Sequence, residues 1–235
     1  MMDELTFKNR LLEEGLPIDD EKLSKFHRYY ELLVEWNQKM NLTAITEEAD
    51  VYLKHFYDSV TIATDIALSK QTICDVGAGA GFPSIPLKIL YPDLKVTIVD
   101  SLNKRITFLH HLCEELGLEN VEAVAARAED YAKDHRQSFD LVTARAVARL
   151  NILDELCLPL VAKGGCFLAL KGRQGDEEIN EAKRGIGMLG GRIEKNRRFT
   201  LANDDDVRHN IIIRKVKDTP AAYPRSYARI KKRPL

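Results

Sequence analysis

The chain is short of the residues that build disulfide frameworks, metal centres and membrane spans. Its 235 residues hold four cysteines and one tryptophan. Cys74, Cys113, Cys157 and Cys166 are far apart, form no CxxC pair and each sit among apolar neighbours, so they read as reduced core thiols. No group of His, Cys or carboxylates has metal-ligand spacing, and no metal is expected. The longest apolar runs, such as Ile211 to Ile213 and Cys166 to Leu170, fall far short of the roughly 20 residues a bilayer crossing needs. Asp3 and Glu4 stand where a secretory signal would carry basic residues, so a cytoplasmic location away from membranes is expected. Net charge is lacking too, with 35 lysines and arginines against 36 acidic residues. That balance hides an asymmetry: residues 1–70 carry 8 basic and 14 acidic side chains, net −6, while residues 207–235 carry 9 and 1, net +8.

What is present is a globular pattern, with 45% apolar and 30% charged residues, which excludes a fibrous or disordered chain. Residues 1–70 show helical spacing, with Leu23, Phe26, Tyr30, Leu33 and Val34 following the Asp19-Asp20 start signal. A shorter helix before it ends at Gly15, and Thr46-Glu47-Glu48 starts further short helices through about Leu68. From Thr72 the pattern becomes repeated βα units, with strands expected at Ile73 to Val76, Val96 to Val99, Val121 to Ala125, Leu141 to Ala144 and Cys166 to Leu170. A charged helix from about Asp176 to Leu189 precedes two runs, Arg192 to Thr200 and His209 to Val216, which read as a closing hairpin around Asp204-Asp205-Asp206. The organisation expected is a helical extension over 1–70, an α/β domain over 71–217 and a weakly ordered basic tail over 218–235.

The most informative segment is Asp75-Val76-Gly77-Ala78-Gly79-Ala80-Gly81-Phe82-Pro83, a turn between the first strand and a helix. Glycines there let the backbone bend sharply and approach a ligand with no Cβ in the way. Ligands of open α/β sheets bind outside the carboxyl ends of the strands. A dinucleotide fingerprint would need a third glycine at position 82, which is Phe. Glycines at 77, 79 and 81 behind Asp75 look like the methyltransferase form of the turn, which wraps the amino-acid end of S-adenosylmethionine. Asp100, 23 positions after Gly77 at the end of the second strand, can accept both ribose hydroxyls of an adenosine, although nicotinamide dinucleotides use the same device. A nicotinamide-dependent dehydrogenase and a non-enzymatic RNA-binding module stay open at this point.

Motifs along nearly the whole chain narrow the choice: Trp36-Asn37 with Asn41-Leu42-Thr43, His55-Phe56 with Asp58-Ser59, the Asp75 to Pro83 turn, Asp100-Ser101-Leu102 with Lys104-Arg105, and Ala169-Leu170-Lys171-Gly172. In this order they resemble the ribosomal small-subunit methyltransferase G family, also called glucose-inhibited division protein B. The resemblance implies a Rossmann-like class I methyltransferase: a seven-stranded, mostly parallel sheet with a final antiparallel hairpin strand and an N-terminal helical extension. It implies N7 methylation of a guanine in the decoding-region loop of 16S ribosomal RNA in the small subunit, with S-adenosyl-L-methionine as cofactor and no obligate protein partner. By resemblance Gly77, Phe82, Ala128, Glu129 and Arg145 contact the cofactor, joining Asp75, Gly79 and Asp100 from the turn and second strand, while Arg127 and Lys171 lie near the RNA. The family tail reads Tyr-Pro-Arg-Lys, then Gly and Pro, before a final Pro-Leu. Tyr223-Pro224-Arg225 and Pro234-Leu235 match, but Ala228 and Ile230 replace the Gly and Pro.

Guanine N7 carries a lone pair and no proton, so its attack on a methyl group requires no general base, and no catalytic acid or base is nominated. Arg145 and Lys171 are expected to position the RNA, and Arg197, Arg198 and the basic C-terminal segment with Arg225 to hold phosphates. His55 reads as a structural histidine, His110-His111 as surface or packing, and the acidic extension as a cover for one side of the cofactor crevice.

Overall fold

A computed structural model describes residues 2–201 and 206–235. Helices α1 (Glu4–Glu13) and α2 (Asp20–Met40) each begin at an aspartate cap. The Asp3 carboxylate accepts the Thr6 N–H and that of Asp19 the Lys22 N–H, both at 2.8 Å, which satisfies amide donors that a first turn leaves unpaired. A helical stretch over 48–64 follows, built from α3 (Glu48–Asp50), a π-helical segment (Val51–Tyr57), α4 (Asp58–Val60) and a 3₁₀ turn (Thr61–Thr64). The wider winding falls on His55 and ends beside Asp58, in keeping with the tendency of π-helical segments to mark functional sites.

The α/β region runs β1 (Thr72–Val76), α5 (Ser84–Leu90), β2 (Lys95–Asp100), α6 (Asn103–Glu115), β3 (Val121–Ala125), α7 (Ala128–Asp134) and β4 (Phe139–Arg145). It continues through α8 (Leu150–Cys157), β5 (Val161–Lys171), α9 (Gly175–Met188), β6 (Gly191–Thr200), β7 (Val207–Lys215) and α10 (Tyr227–Lys232). The strands form a seven-stranded sheet in the order β3-β2-β1-β4-β5-β7-β6. β1 to β5 are parallel, and β7 inserts antiparallel between β5 and β6. β4 and β5 extend beyond the expected apolar runs, β5 running from buried Val161 through exposed Lys163 and Gly164, where hydrophobicity gives no strand signal. Asp204 and Asp205 of the expected turn lie outside the described residues; the Asp206 carbonyl accepts the Leu201 N–H at 3.0 Å.

Strand alternation divides the interior. Ile73 of β1 faces a cluster with Phe7, Phe26, Tyr29, Tyr52 and Phe56 from the N-terminal helices, whereas Cys74 and Val76 face one with Leu153, Ile186 and Ile230. Residues 1–70 therefore cover one face of the sheet with a herringbone of rings, Phe7 lying 5.0 Å from Phe26 and 5.3 Å from Tyr52. Cys74, Cys157 and Cys166 are buried as expected, while Cys113 is half-buried. Among the described residues no helix is long and apolar enough to cross a membrane.

The tail is not weakly ordered. Ile230 is completely buried, a contribution of about 2 kcal/mol that fastens α10 to the core. Its N–H donates to the Ser226 carbonyl at 3.1 Å, a bond a proline at 230 could not make, and Ala228 favours helix where glycine would not. The departures at 228 and 230 thus allow a helix. Arg136 ties the preceding loop by donating to the carbonyls of Thr219, at 2.8 Å, and Tyr223.

Candidate active site

The glycine turn bends around the carboxyl end of β1 with φ of +73° at Gly77, +61° at Gly79 and +105° at Gly81. A Cβ at Gly77 would stand 2.7 Å from Val147 Cγ2, and one at Gly81 2.7 Å from Ile85 Cγ1 and 2.8 Å from Tyr29 Oη. Both the backbone angle and the close neighbours demand glycine at those two positions. Asp75, expected on the cofactor, is fully buried behind the turn. Its Oδ2 accepts the Ser84 N–H at 3.0 Å, fixing the start of α5, and burial pushes its carboxyl up to about 7.

In front of the turn lies a cavity of about 420 Å³. Of the residues expected around a cofactor, Gly77, Gly79, Phe82, Asp100, Ala128, Glu129 and Arg145 line it, and Asp75 does not. Arg127, expected at the RNA, lies on the same wall. Asp100 Oδ2 accepts the Gly79 N–H at 3.2 Å and Arg105 Nη1 at 3.0 Å, while Oδ1 accepts the Leu102 N–H at 3.0 Å. Glu129 receives Arg127 Nε at 3.2 Å on Oε1, but its buried Oε2 has no partner among the described residues. Such an atom, like Asp75 Oδ1 behind the turn, can accept from a water or a ligand.

A second cavity of about 320 Å³ adjoins the first, and His55, Arg145 and Ala146 line both. Arg145 Nη1 donates to the Lys54 carbonyl at 3.1 Å and to Asp58 Oδ2 at 3.2 Å, and its guanidinium lies 5.0 Å from the Phe82 ring centre. Burial lowers its pKa, with Asp58 opposing the shift. Asp58 also pairs with Arg208, at 3.2 Å. The His55 ring stacks on Phe82 at 4.5 Å. Burial, then the charge of Arg145, pulls His55 down to about 4. A guanidinium can only donate, so Nδ1 of His55 accepts from Arg145 Nη2 at 3.4 Å and Nε2 carries the proton, donated to Thr43 Oγ1 at 2.8 Å. Lys171 also faces this cavity, its Nζ 2.7 Å from both the Ala148 carbonyl and Glu178 Oε2.

The other expected phosphate contacts diverge. Arg198 is exposed on the edge strand β6. Arg197 instead turns inward, Nε 2.7 Å from the buried carboxylate of Asp65 and Nη2 2.9 Å from the Thr61 carbonyl. Arg225 closes on Glu155, with Nε 2.9 Å from Oε1 and Nη2 2.6 Å from Oε2, so its charge is satisfied internally.

The family model described as GidB, rRNA small subunit methyltransferase G, matches residues 22–205. The Ribosomal RNA small subunit methyltransferase G of Staphylococcus carnosus is 56% identical over 230 residues, covering 96% of both chains, and that of Macrococcus caseolyticus 55% identical over 236, covering 100% of this chain and 99% of its own. The chain belongs to the rRNA small subunit methyltransferase G family. Solved structures share its fold at low identity. The 16S rRNA (adenine(1408)-N(1))-methyltransferase of Catenulisporales acidiphilia, solved with SAM, aligns at TM-score 0.55 and 14% identity over 65% of this chain and 88% of that one. TYW2 of M. jannaschii in complex with AdoMet aligns at 0.53 and 14% over 63% and 70%.

Membership in this family makes S-adenosylmethionine the cofactor to test against the larger cavity. The residues fit: a turn held open by glycine, Asp100 deep in the wall, and the unpartnered Oε2 of Glu129 all suit a nucleoside with amine and hydroxyl donors. The sequence reading missed Arg208, Asn210 and Tyr227, which line these cavities from β7 and α10. No local motif marks them, since β7 and the tail reach the site only through sheet order and docking. Asp58 stood in a recognised motif, but its pairing with Arg145 and Arg208 spans 87 and 150 positions and has no sequence signature.

Proposed function

We propose that the protein transfers a methyl group from S-adenosylmethionine to N7 of a guanine in 16S ribosomal RNA of the small subunit, acting in the cytoplasm. The observation that carries this reading is the meeting of two cavities at His55, Arg145 and Ala146, one suited to a nucleoside cofactor and the other lined by Lys171, Arg208 and Asn210. When bound, the cofactor supplies an electrophilic methyl group on a sulfonium.

The chain's own residues bind and orient. The turn from Gly77 to Gly81 and Glu129 hold the cofactor, and Asp100, whose Oδ1 keeps one unused lone pair, is placed for a ribose hydroxyl. Arg145 and Lys171 position the base from the second cavity; the ammonium of Lys171 has one proton beyond the two given to Ala148 and Glu178. Arg198 holds phosphate at the sheet edge, while Arg127 belongs with the cofactor, and Arg197 and Arg225, closed on Asp65 and Glu155, are left out of the RNA surface. Holding nucleophile and methyl group in line can supply about 7–11 kcal/mol of the barrier. Both ring nitrogens of His55 are engaged, which suits a nucleophile that has no proton to lose.

The test is incubation with labelled cofactor and small subunits from cells lacking the enzyme, followed by mapping of the modified base. Label on one guanine at N7 supports the proposal. Label on a protein, a small metabolite or another base overturns it.

A further inference from the structure

We infer that Tyr227, at the start of the C-terminal helix α10, is a cofactor-contact residue that closes the adenosine end of the larger cavity; this rests on the S-adenosylmethionine reading above. Tyr227 lines that cavity beside Arg127, Ala128, Glu129 and Leu156, and takes no part in the second one. The Arg127 guanidinium lies 4.3 Å from the centre of its ring and donates through Nε to Glu129 at 3.2 Å. Ring, guanidinium and carboxylate thus form one continuous wall, ending at the unpartnered Oε2 of Glu129. An aromatic ring with a guanidinium over one face, beside a carboxylate, matches a purine that packs against this stack and offers an amine to the carboxylate.

The ring is held there from both sides. Two residues before it Arg225 is paired in two places with the fully buried Glu155, and three residues after it Ile230 is completely buried. Tyr227 itself stays half-buried, as a ring facing a cavity should. Its position depends on a helix that Ala228 and Ile230 permit.

Calorimetric titration of the full-length protein with S-adenosylmethionine and with S-adenosylhomocysteine tests the inference. Tyr227→Ala should weaken both ligands by about tenfold, as expected for a lost base-stacking ring, and Tyr227→Phe should bind as the parent does. The KM for RNA should be unchanged in both. Tyr227→Trp guards against a merely loosened tail: after subtraction of the Trp36 signal, its emission should change saturably with the Kd found by calorimetry. Parent-like affinity of Tyr227→Ala, or a Tyr227→Trp emission unmoved by saturating ligand, overturns the contact while leaving the cofactor assignment intact. A parent protein that binds neither ligand removes both.

Discussion

The imidazole of His55 and the guanidinium of Arg145 meet between the two cavities, with Nη2 of the arginine 3.4 Å from Nδ1 of the histidine. Burial, with the neighbouring cation, keeps the ring neutral, and the cation fixes its tautomer, so the junction is a positioning device rather than a proton relay.

His55 should therefore not titrate near neutrality. Its folded pKa of about 4 lies below the usual 6.5, so as pH falls through that window the unfolded chain takes up a proton that the folded one refuses. The His55 contribution to stability is complete above about pH 7 and is lost as pH falls from 6.5 toward 4. NMR titration of the ring checks this, and a midpoint near 6.5 would reject it. His55→Gln should show a shallower acid decline in urea unfolding.

Alanine at the turn glycines should be graded by space as well as by φ. Gly79→Ala meets nothing within 4 Å and should cost about 1–2 kcal/mol from backbone strain alone. Gly77→Ala and Gly81→Ala add contacts of 2.7 Å and should cost more. Denaturant unfolding without ligand gives the ranking, and equal costs at the three sites would contradict it.

Arg198 and Arg197, adjacent in sequence, should behave differently. Arg198→Ala should leave stability unchanged and reduce the slope of log affinity for RNA against log salt by about 0.7–1. Arg197→Ala should destabilise the fold instead, because Asp65 would lose a partner at 2.7 Å. Filter binding at several salt concentrations, paired with thermal melts, distinguishes the two.

Arg225→Ala should cost about 3–5 kcal/mol, since Glu155 is completely buried and would keep an unpaired charge. Replacing the pair together, Arg225→Met with Glu155→Leu, should cost less than the single change. Urea unfolding of the three proteins checks the order, and a harmless single change would show that the pair does not hold the tail.

The strands, the helical extension and the cofactor turn were legible in the sequence because each is written locally. Short apolar runs mark β1 to β3, the Asp19-Asp20 start marks α2, and the glycines of the bend report a backbone angle that other residues resist. Which charges are free was not legible. Neighbouring Arg197 and Arg198 look alike in sequence, yet strand alternation sends one toward Asp65, 132 positions away, and leaves the other in solvent. The same holds for Asp75, whose burial and bond to the start of α5 no local pattern announces.

Local chemistry thus determined the βα repeat, the glycine turn and the family. Tertiary structure alone decided the wall shared by His55, Asp58, Arg145 and Arg208, and the docking of Tyr227 beside Arg127. Such pairings depend on how strands are ordered across the sheet and on which buried charge each long side chain can reach. Neither is set by the residues adjacent in the chain.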